Sequence, residues 1–246
     1  LAEPENIVAA VADHFSAPKK LDGKRALVTA GPTYEAIDPV RFIGNHSSGK
    51  MGFALAEALS RQGAEVTLVS GPTSLQTNNT QIKKIDVVSA DDMYDACLSA
   101  FAQQDIVIMA AAVADYRPAE PAPEKIKKKD DKISIELVKN PDILREMGRQ
   151  KKHQMLVGFA LETENEHANA REKLEKKNLD LIVLNSLRDA GAGFGTDTNR
   201  VTLFDRAGNE TSIDLKSKKE VAAAIVEKLI SYLEQPQHIT ETEKSL

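Results

Sequence analysis

Ala26-Leu27-Val28-Thr29-Ala30-Gly31-Pro32-Thr33 is echoed downstream by Glu65-Val66-Thr67-Leu68-Val69-Ser70-Gly71-Pro72-Thr73. Between them Met51 to Gln62 carries Phe53, Leu55, Ala58 and Leu59 at helical spacing. A short apolar run closed by a Gly-Pro turn, a helical period and a second such run read as strand, helix, strand. Two short matches do not make a structural repeat. They do set a rhythm that the rest of the chain keeps.

Working outward, Ile85 to Val88 reads as a strand, Asp91 to Gln103 as a helix capped by Asp91 or Asp92, and Asp105 to Ala110 as a buried strand. Ile133 to Val138 is a further strand, Pro141 to Arg149 a helix with Pro in its first turn, and Met155 to Phe159 a strand. Glu166 to Lys177 is a polar-faced helix and Leu179 to Leu184 a strand. Arg200 to Asp205 and Thr211 to Leu215 form a hairpin around Gly208, and Ser217 to Leu233 is a closing helix. This alternation predicts an α/β, Rossmann-like domain, a mostly parallel sheet with helices on both faces. Ligands in such sheets bind beyond the carboxyl ends of the strands, so the residues after Ala30, Ser70, Ala110, Phe159 and Leu184 are the ones to inspect. Residues 1–22, with one short helical pattern (Ile7, Val8, Val11) and then Pro18-Lys19-Lys20, read as a linker or arm, 23–234 as the domain, and 235–246 as a polar tail.

The chain has 246 residues, with 32 Lys plus Arg against 37 Asp plus Glu, and 41% apolar and 28% charged residues, which places it among folded globular proteins. A net charge of -5 gives no global attraction to nucleic acid or to an anionic membrane. One cysteine forms neither an internal disulfide nor a thiolate metal cluster, so a reducing, cytoplasmic location is expected. No stretch approaches the roughly 20 apolar residues of a membrane helix. The first residue is Leu1, which suggests a processed product or a piece of something longer.

Gly44-Asn45-His46-Ser47-Ser48-Gly49-Lys50-Met51 nearly spells a P-loop but ends on Met51, where a Ser or Thr should hold magnesium, and it lies well after the first strand. The physics of that loop survives: Ser47, Ser48 and Gly49 open a helix whose free N–H groups and positive dipole end suit a phosphate, with ordinary serine capping as the alternative. Gly191-Ala192-Gly193-Phe194-Gly195 has its third glycine one place early and no helix after it, so a flexible turn is the better reading than a dinucleotide site. Met109 to Tyr116 puts small residues at a strand end and adds Asp115. It is either a ligand approach to backbone groups or a tight strand-to-loop junction with a surface carboxylate. Lys125, Lys127, Lys128 and Lys129 are the densest basic cluster; a solvated edge is the usual meaning of such a run, and an arm that neutralises a polyphosphate the sharper one. The five histidines have no metal spacing, so no protein metal site is expected, and Cys97 sits in an amphipathic helix pattern as a small core residue.

Several longer motifs stand together in order: Val28 to Thr33, Asp38-Pro39-Val40-Arg41-Phe42-Ile43-Gly44-Asn45-His46-Ser47-Ser48-Gly49-Lys50-Met51-Gly52, Ala111 to Pro118, Glu124 to Lys128, Lys139 to Ile143, Gly158 to Thr163, and Lys177 to Asp180. From about Gly23 to the closing helix the sequence resembles the phosphopantothenate-cysteine ligases of coenzyme A assembly. The resemblance implies a two-step ligation. The carboxylate of 4'-phosphopantothenate attacks the α-phosphate of CTP with help from Mg2+, and the amine of L-cysteine then displaces CMP from the acyl-cytidylate. It further implies a homodimer joined through an extended arm near Ile133 to Leu137, and CTP in preference to ATP. An FMN-dependent decarboxylase domain is implied N-terminal to the ligase in the same polypeptide, with residues 1–21 resembling its linker. On that basis the 246 residues are complete as a ligase domain and incomplete as a gene product.

Carried over position by position, the resemblance assigns Asn45 to holding the activated acyl group. Arg41, one helical turn earlier, becomes its partner or a substrate contact, and Lys125 the lysine of nucleotidyl transfer. Lys127 and Lys128 fall in a lid. Ala111, Asp115, Pro141, Asp142, Ile143, Leu144, Phe159, Lys173 and Lys177 match nucleotide-contacting positions, and Ser47, Ser48 and Gly49 are assigned to phosphate, partly on the helix-terminus argument. A solvated helix face is the other reading of Lys173 and Lys177, which stand four apart on a charged helix. Two other classes compete: an NAD-dependent Rossmann oxidoreductase, opposed by the missing glycine fingerprint and acidic residue, and a non-catalytic nucleotide-binding or dimerisation module.

Overall fold

The computed structural model describes residues 19–127, 132–162, 164–186 and 196–234. The stretches up to Pro18 and after Glu234, and the glycine run 191–195, lie outside them. In chain order the elements are β1 (Arg25–Ala30), β2 (Tyr34–Ala36), β3 (Phe42–Gly44), α1 (Lys50–Arg61), β4 (Glu65–Ser70), β5 (Ile82–Asp86), α2 (Ala90–Phe101), β6 (Ile106–Met109), β7 (Tyr116–Pro118), β8 (Leu137–Lys139), α3 (Ile143–Gln150), β9 (Met155–Glu162), α4 (Glu166–Lys176), β10 (Leu181–Ser186), β11 (Thr198–Asp205), β12 (Glu210–Ser217) and α5 (Lys218–Leu233).

The main sheet has eight strands in the order β12-β11-β10-β9-β6-β1-β4-β5. Strands β5 to β10 of that order run parallel, and β11 and β12 close one edge antiparallel. This is the Rossmann-like architecture that the alternation predicted. Because the strands are covered on both faces, consecutive residues enter different cores. Ala26, Val28 and Ala30 of β1 pack with α1 and α5, whereas Leu27 packs with α2, α3 and α4. β6 divides in the same way, with Ile106 and Ile108 on one side and Val107 and Met109 on the other. Such strands read as unbroken apolar runs because no position faces water. Leu21 is buried in the first of these cores, and its N–H bonds Gln62 O, so packing reaches slightly before Gly23.

Several boundaries differ from the sequence reading for local reasons. Helix α2 begins at Ala90 because Ser89, not an aspartate, caps it: Ser89 Oγ accepts the Asp92 N–H, and the Asp92 carboxylate accepts the Ser89 N–H. Asp142 caps α3, leaving Pro141 outside the helix rather than in its first turn. The strand expected at Ile85 to Val88 is Ile82–Asp86, and the one expected over Ile133 to Val138 is only Leu137–Lys139, paired with β7. The β2–β3 hairpin was not foreseen. It pairs Tyr34 with Gly44 and Ala36 with Phe42, and stacks the Tyr34 and Phe42 rings 3.8 Å apart.

Candidate active site

From β1 the chain passes to β4 and β5 on one side, and from β6 to β9 and β10 on the other. The turns leaving β1 and β6 stay paired, Pro32 bridging Ala112, and a crevice opens beside them over the carboxyl ends of β6 and β9, the end of such a sheet where ligands bind. That crevice measures about 840 Å³, and Asn45, Ala111, Asp115, Pro141, Asp142, Ile143, Leu144, Phe159, Lys173 and Lys177 all line it. Residues spread over more than half the sequence converge on one cleft.

Hydroxyls on β1 and its turn hold the floor. The Ala111 N–H donates to Thr29 Oγ1 at 3.1 Å, and the Ala114 N–H to Thr33 Oγ1 at 3.0 Å. The Ala112 N–H donates to Gly31 O at 2.9 Å. The N–H groups of Ala111, Ala112 and Ala114 and the carbonyls of Ala112, Val113 and Ala114 are all bonded within the protein, so Met109 to Tyr116 is a tight strand-to-loop junction whose small side chains border the cleft. Asp115 is exposed at the rim. Asn140, absent from the predicted set, ties the opposite wall to the floor, with its Nδ2 donating to Ala114 O at 2.7 Å and its Oδ1 accepting from Arg117 at 2.8 Å. The motif Lys139-Asn140-Pro141 was its sequence signal.

Asn45 follows β3 and donates Nδ2 to Val113 O at 2.9 Å, which turns its Oδ1 away from that contact. Arg41 is not a helical turn before it, because Phe42–Gly44 is a strand, and strand geometry carries the two residues apart. Arg41 instead grips the Asp38 carboxylate and the Ile126 carbonyl. Burial alone would raise the Asp38 pKa, but N–H donors from Val40, Arg41 and Ile126 and the Arg41 guanidinium hold the carboxyl well below its usual range. Lys125 and Lys127 flank Ile126 on this exposed loop and do not line the cleft. Lys128 lies outside the described residues.

Lys177 and Lys173 are more than a solvated helix face. Both line the cleft, Lys177 Nζ 2.9 Å from Asp142 and Lys173 Nζ 3.8 Å from Glu162. Ser47, Ser48 and Gly49 do open helix α1, but serine capping is absent: Gly49 is the N-cap, at φ 77°, with no side-chain cap bond. A non-glycine residue is strained at that φ. The first N–H groups of α1 stay uncapped by side chains and face a smaller cavity of about 150 Å³, which shares Ala111, Ala112, Phe159 and Leu161 with the main cleft. Asn185 and Lys218 also line it. The predicted set omitted both, although Asn185 stands directly after Leu184, where the strand-end rule points. Burial and the nearby Lys50 push the Lys218 ammonium below its usual pKa.

Among the described residues no three His, Cys, Asp or Glu side chains are grouped closely enough to hold a metal by themselves. Among the same residues no helix is long and apolar enough to cross a membrane.

Comparison with known proteins gives a family and several relatives. Residues 21–233 match the family described as the DNA/pantothenate metabolism flavoprotein C-terminal domain. The chain is 49% identical over 231 residues to the coenzyme A biosynthesis bifunctional protein CoaBC of Haemophilus influenzae, covering 94% of this chain and 57% of that protein. It is 51% identical over 236 residues to a cysteine/cysteine sulfinic acid decarboxylase from an unknown prokaryotic organism, covering 94% and 66%. The chain thus spans less than two thirds of these relatives' length. The crystal structure of the C-terminal domain of a coenzyme A biosynthesis bifunctional protein CoaBC is similar at TM-score 0.75 and 44% identity, covering 88% of this chain and 98% of that one.

Proposed function

The chain belongs to the DNA/pantothenate metabolism flavoprotein C-terminal domain family, and on that premise we propose that it is a phosphopantothenate-cysteine ligase of coenzyme A biosynthesis, driven by CTP. The observation that carries the reading is the convergence of Asn45, Ala111, Asp115, Pro141 to Leu144, Phe159, Lys173 and Lys177 on one cleft at the carboxyl ends of the strands.

The chemistry asks for what this cleft offers. A carboxylate attacking a polyphosphate must meet positive charge and N–H donors where phosphoryl charge develops, and such preorganised groups contribute most when water is excluded. In the proposal, Lys173 and Lys177 receive the nucleotide, with Lys177 oriented by Asp142. The uncapped start of α1 at Ser47, Ser48 and Gly49 receives phosphate oxygens. Lys125 supplies charge to the transfer, and Asn45 holds the acyl group with its free Oδ1 while the cysteine amine attacks. Magnesium, when bound at Asp115, would neutralise phosphate charge.

The proposal includes a homodimer formed through the exposed strands around Leu137, and a flavin-dependent decarboxylase domain within the same polypeptide, in keeping with the bifunctional relatives. The test is pyrophosphate release on mixing the protein with phosphopantothenate, magnesium and CTP, repeated with ATP, followed by CMP release on adding cysteine. Release with CTP and little with ATP is expected. Silence with both nucleotides rules the ligase out.

A further inference from the structure

The two oxygens of Asp38 have different partners. Oδ1 accepts the N–H groups of Val40 at 2.8 Å and Arg41 at 2.9 Å, closing the turn at the tip of the β2–β3 hairpin. Oδ2 accepts Nε and Nη2 of Arg41 and, across 88 residues, the N–H of Ile126 at 3.1 Å. Arg41 Nη2 then donates to the carbonyl of Ile126 at 2.8 Å. Both backbone polar groups of Ile126 are therefore held, one by each member of an ion pair whose carboxylate side is fully buried. A further bond, from the Ala122 N–H to Ile37 O at 2.9 Å, ties the same loop to the hairpin.

We propose that Asp38 is a positioning residue for Lys125. Its Oδ2, working with Arg41, clamps the peptide of Ile126 and so fixes where the lysine one residue earlier can reach. The inference rests on the ligase reading for what Lys125 does, and on the hydrogen bonds alone for the clamp. A charged acceptor shared by a guanidinium and a backbone N–H is among the stronger hydrogen-bonded arrangements. Lysine, a point charge on a flexible stem, gains most from a fixed backbone anchor.

Asp38→Asn separates the clamp from the turn. The amide keeps an oxygen for Val40 and Arg41 N–H, since Asn closes such turns as Asp does, but presents NH2 where Ile126 and Arg41 both need an acceptor. Hydrogen-deuterium exchange of the 119–127 peptide should quicken by about 10- to 100-fold in the variant, the scale of losing a hydrogen bond to a charged group, while β1 and β6 peptides are unchanged. Pyrophosphate release should fall by about 10- to 100-fold, the scale of a misplaced catalytic group, with KM for CTP little altered. In a Lys125→Ala background, Asp38→Asn should cost nothing more.

Unchanged exchange at 119–127 overturns the clamp. An equal loss of activity with and without Lys125 overturns the positioning role. A wild-type protein that releases no pyrophosphate removes the ligase reading, and with it the catalytic meaning of the clamp, whereas exchange still decides whether Asp38 holds the loop.

Discussion

Asn45 enters the cleft with its amide already turned by the bond from Nδ2 to Val113 O. An aspartate there cannot donate and would set a carboxylate against that carbonyl, so Asn45→Asp should leave the fold intact yet slow the cysteine step. Acyl-cytidylate should accumulate in a quenched reaction with CTP; turnover like the wild type would remove Asn45 from the mechanism. Cys97 is the opposite kind of residue, wholly buried on α2, with burial pushing its thiol up to about 12. Because the thiolate is the reactive form, a thiol reagent at pH 8 should fail to titrate Cys97 in the native protein and titrate it fully in denaturant; fast native labelling would contradict the packing. Much of the site could be read at this scale. Ala111 to Asp115 stood out as small residues at a strand end, and Lys173 and Lys177 were named, although a charged helix could not show which of its faces turns inward. Arg41 and Lys125 were named without their relation, because the hydrogen bonds joining them through Asp38 and Ile126 span distant segments that no spacing rule connects.

Helix α1 lies so close to β1 that a Cβ on Gly52 would stand 2.6 Å from Ala30 Cβ and 2.7 Å from Thr29 O. Alanine gains about 1 kcal/mol over glycine in a helix interior, but relief here requires backbone to move, and overpacking of that kind costs about 1–3 kcal/mol. Gly52→Ala should therefore lower the unfolding free energy by a net amount of up to about 2 kcal/mol, seen as a lower urea midpoint. It should also disturb the cleft, since Thr29 holds the Ala111 N–H; an unchanged or raised midpoint would show that α1 has room to shift. Elements of this kind were legible because their periods are strong: β1, β4 and β6 are buried apolar runs and α1 has a clear apolar face. The short strands were not. β5 places Ile82 and Ile85 three apart with lysines between them at an edge, which masks a period of two. β2, β3 and β7 are three residues each, too brief for a period to show, and are fixed by pairing with segments far along the chain or by the Tyr34–Phe42 stack.

At the scale of the whole molecule, several of the exposed large apolar side chains lie on the two small ribbons. Val40 and Phe42 on the first ribbon, and Tyr116, Leu137 and Val138 on the second, are exposed, and β2 of the first ribbon packs against β7 of the second. Single exposed apolar residues need no explanation, but a contiguous group marks an interaction surface. Among the described residues strand β8 also presents an unpaired edge, which natural proteins cover or charge unless it is used. The proposed homodimer accounts for both features, because a second copy pairing along β8 would cover the edge and reach side chains on both faces of the ribbon, Leu137 on one and Val138 on the other. The overall charge of -5 is small enough to let two copies approach. Sedimentation velocity at micromolar concentration should then give a single dimeric species. Leu137→Asp combined with Val138→Asp should convert it to monomer without lowering the thermal midpoint of the main domain, because neither residue belongs to the two sheet cores. A wild-type monomer, or a double variant that remains dimeric, would show that this face serves another purpose.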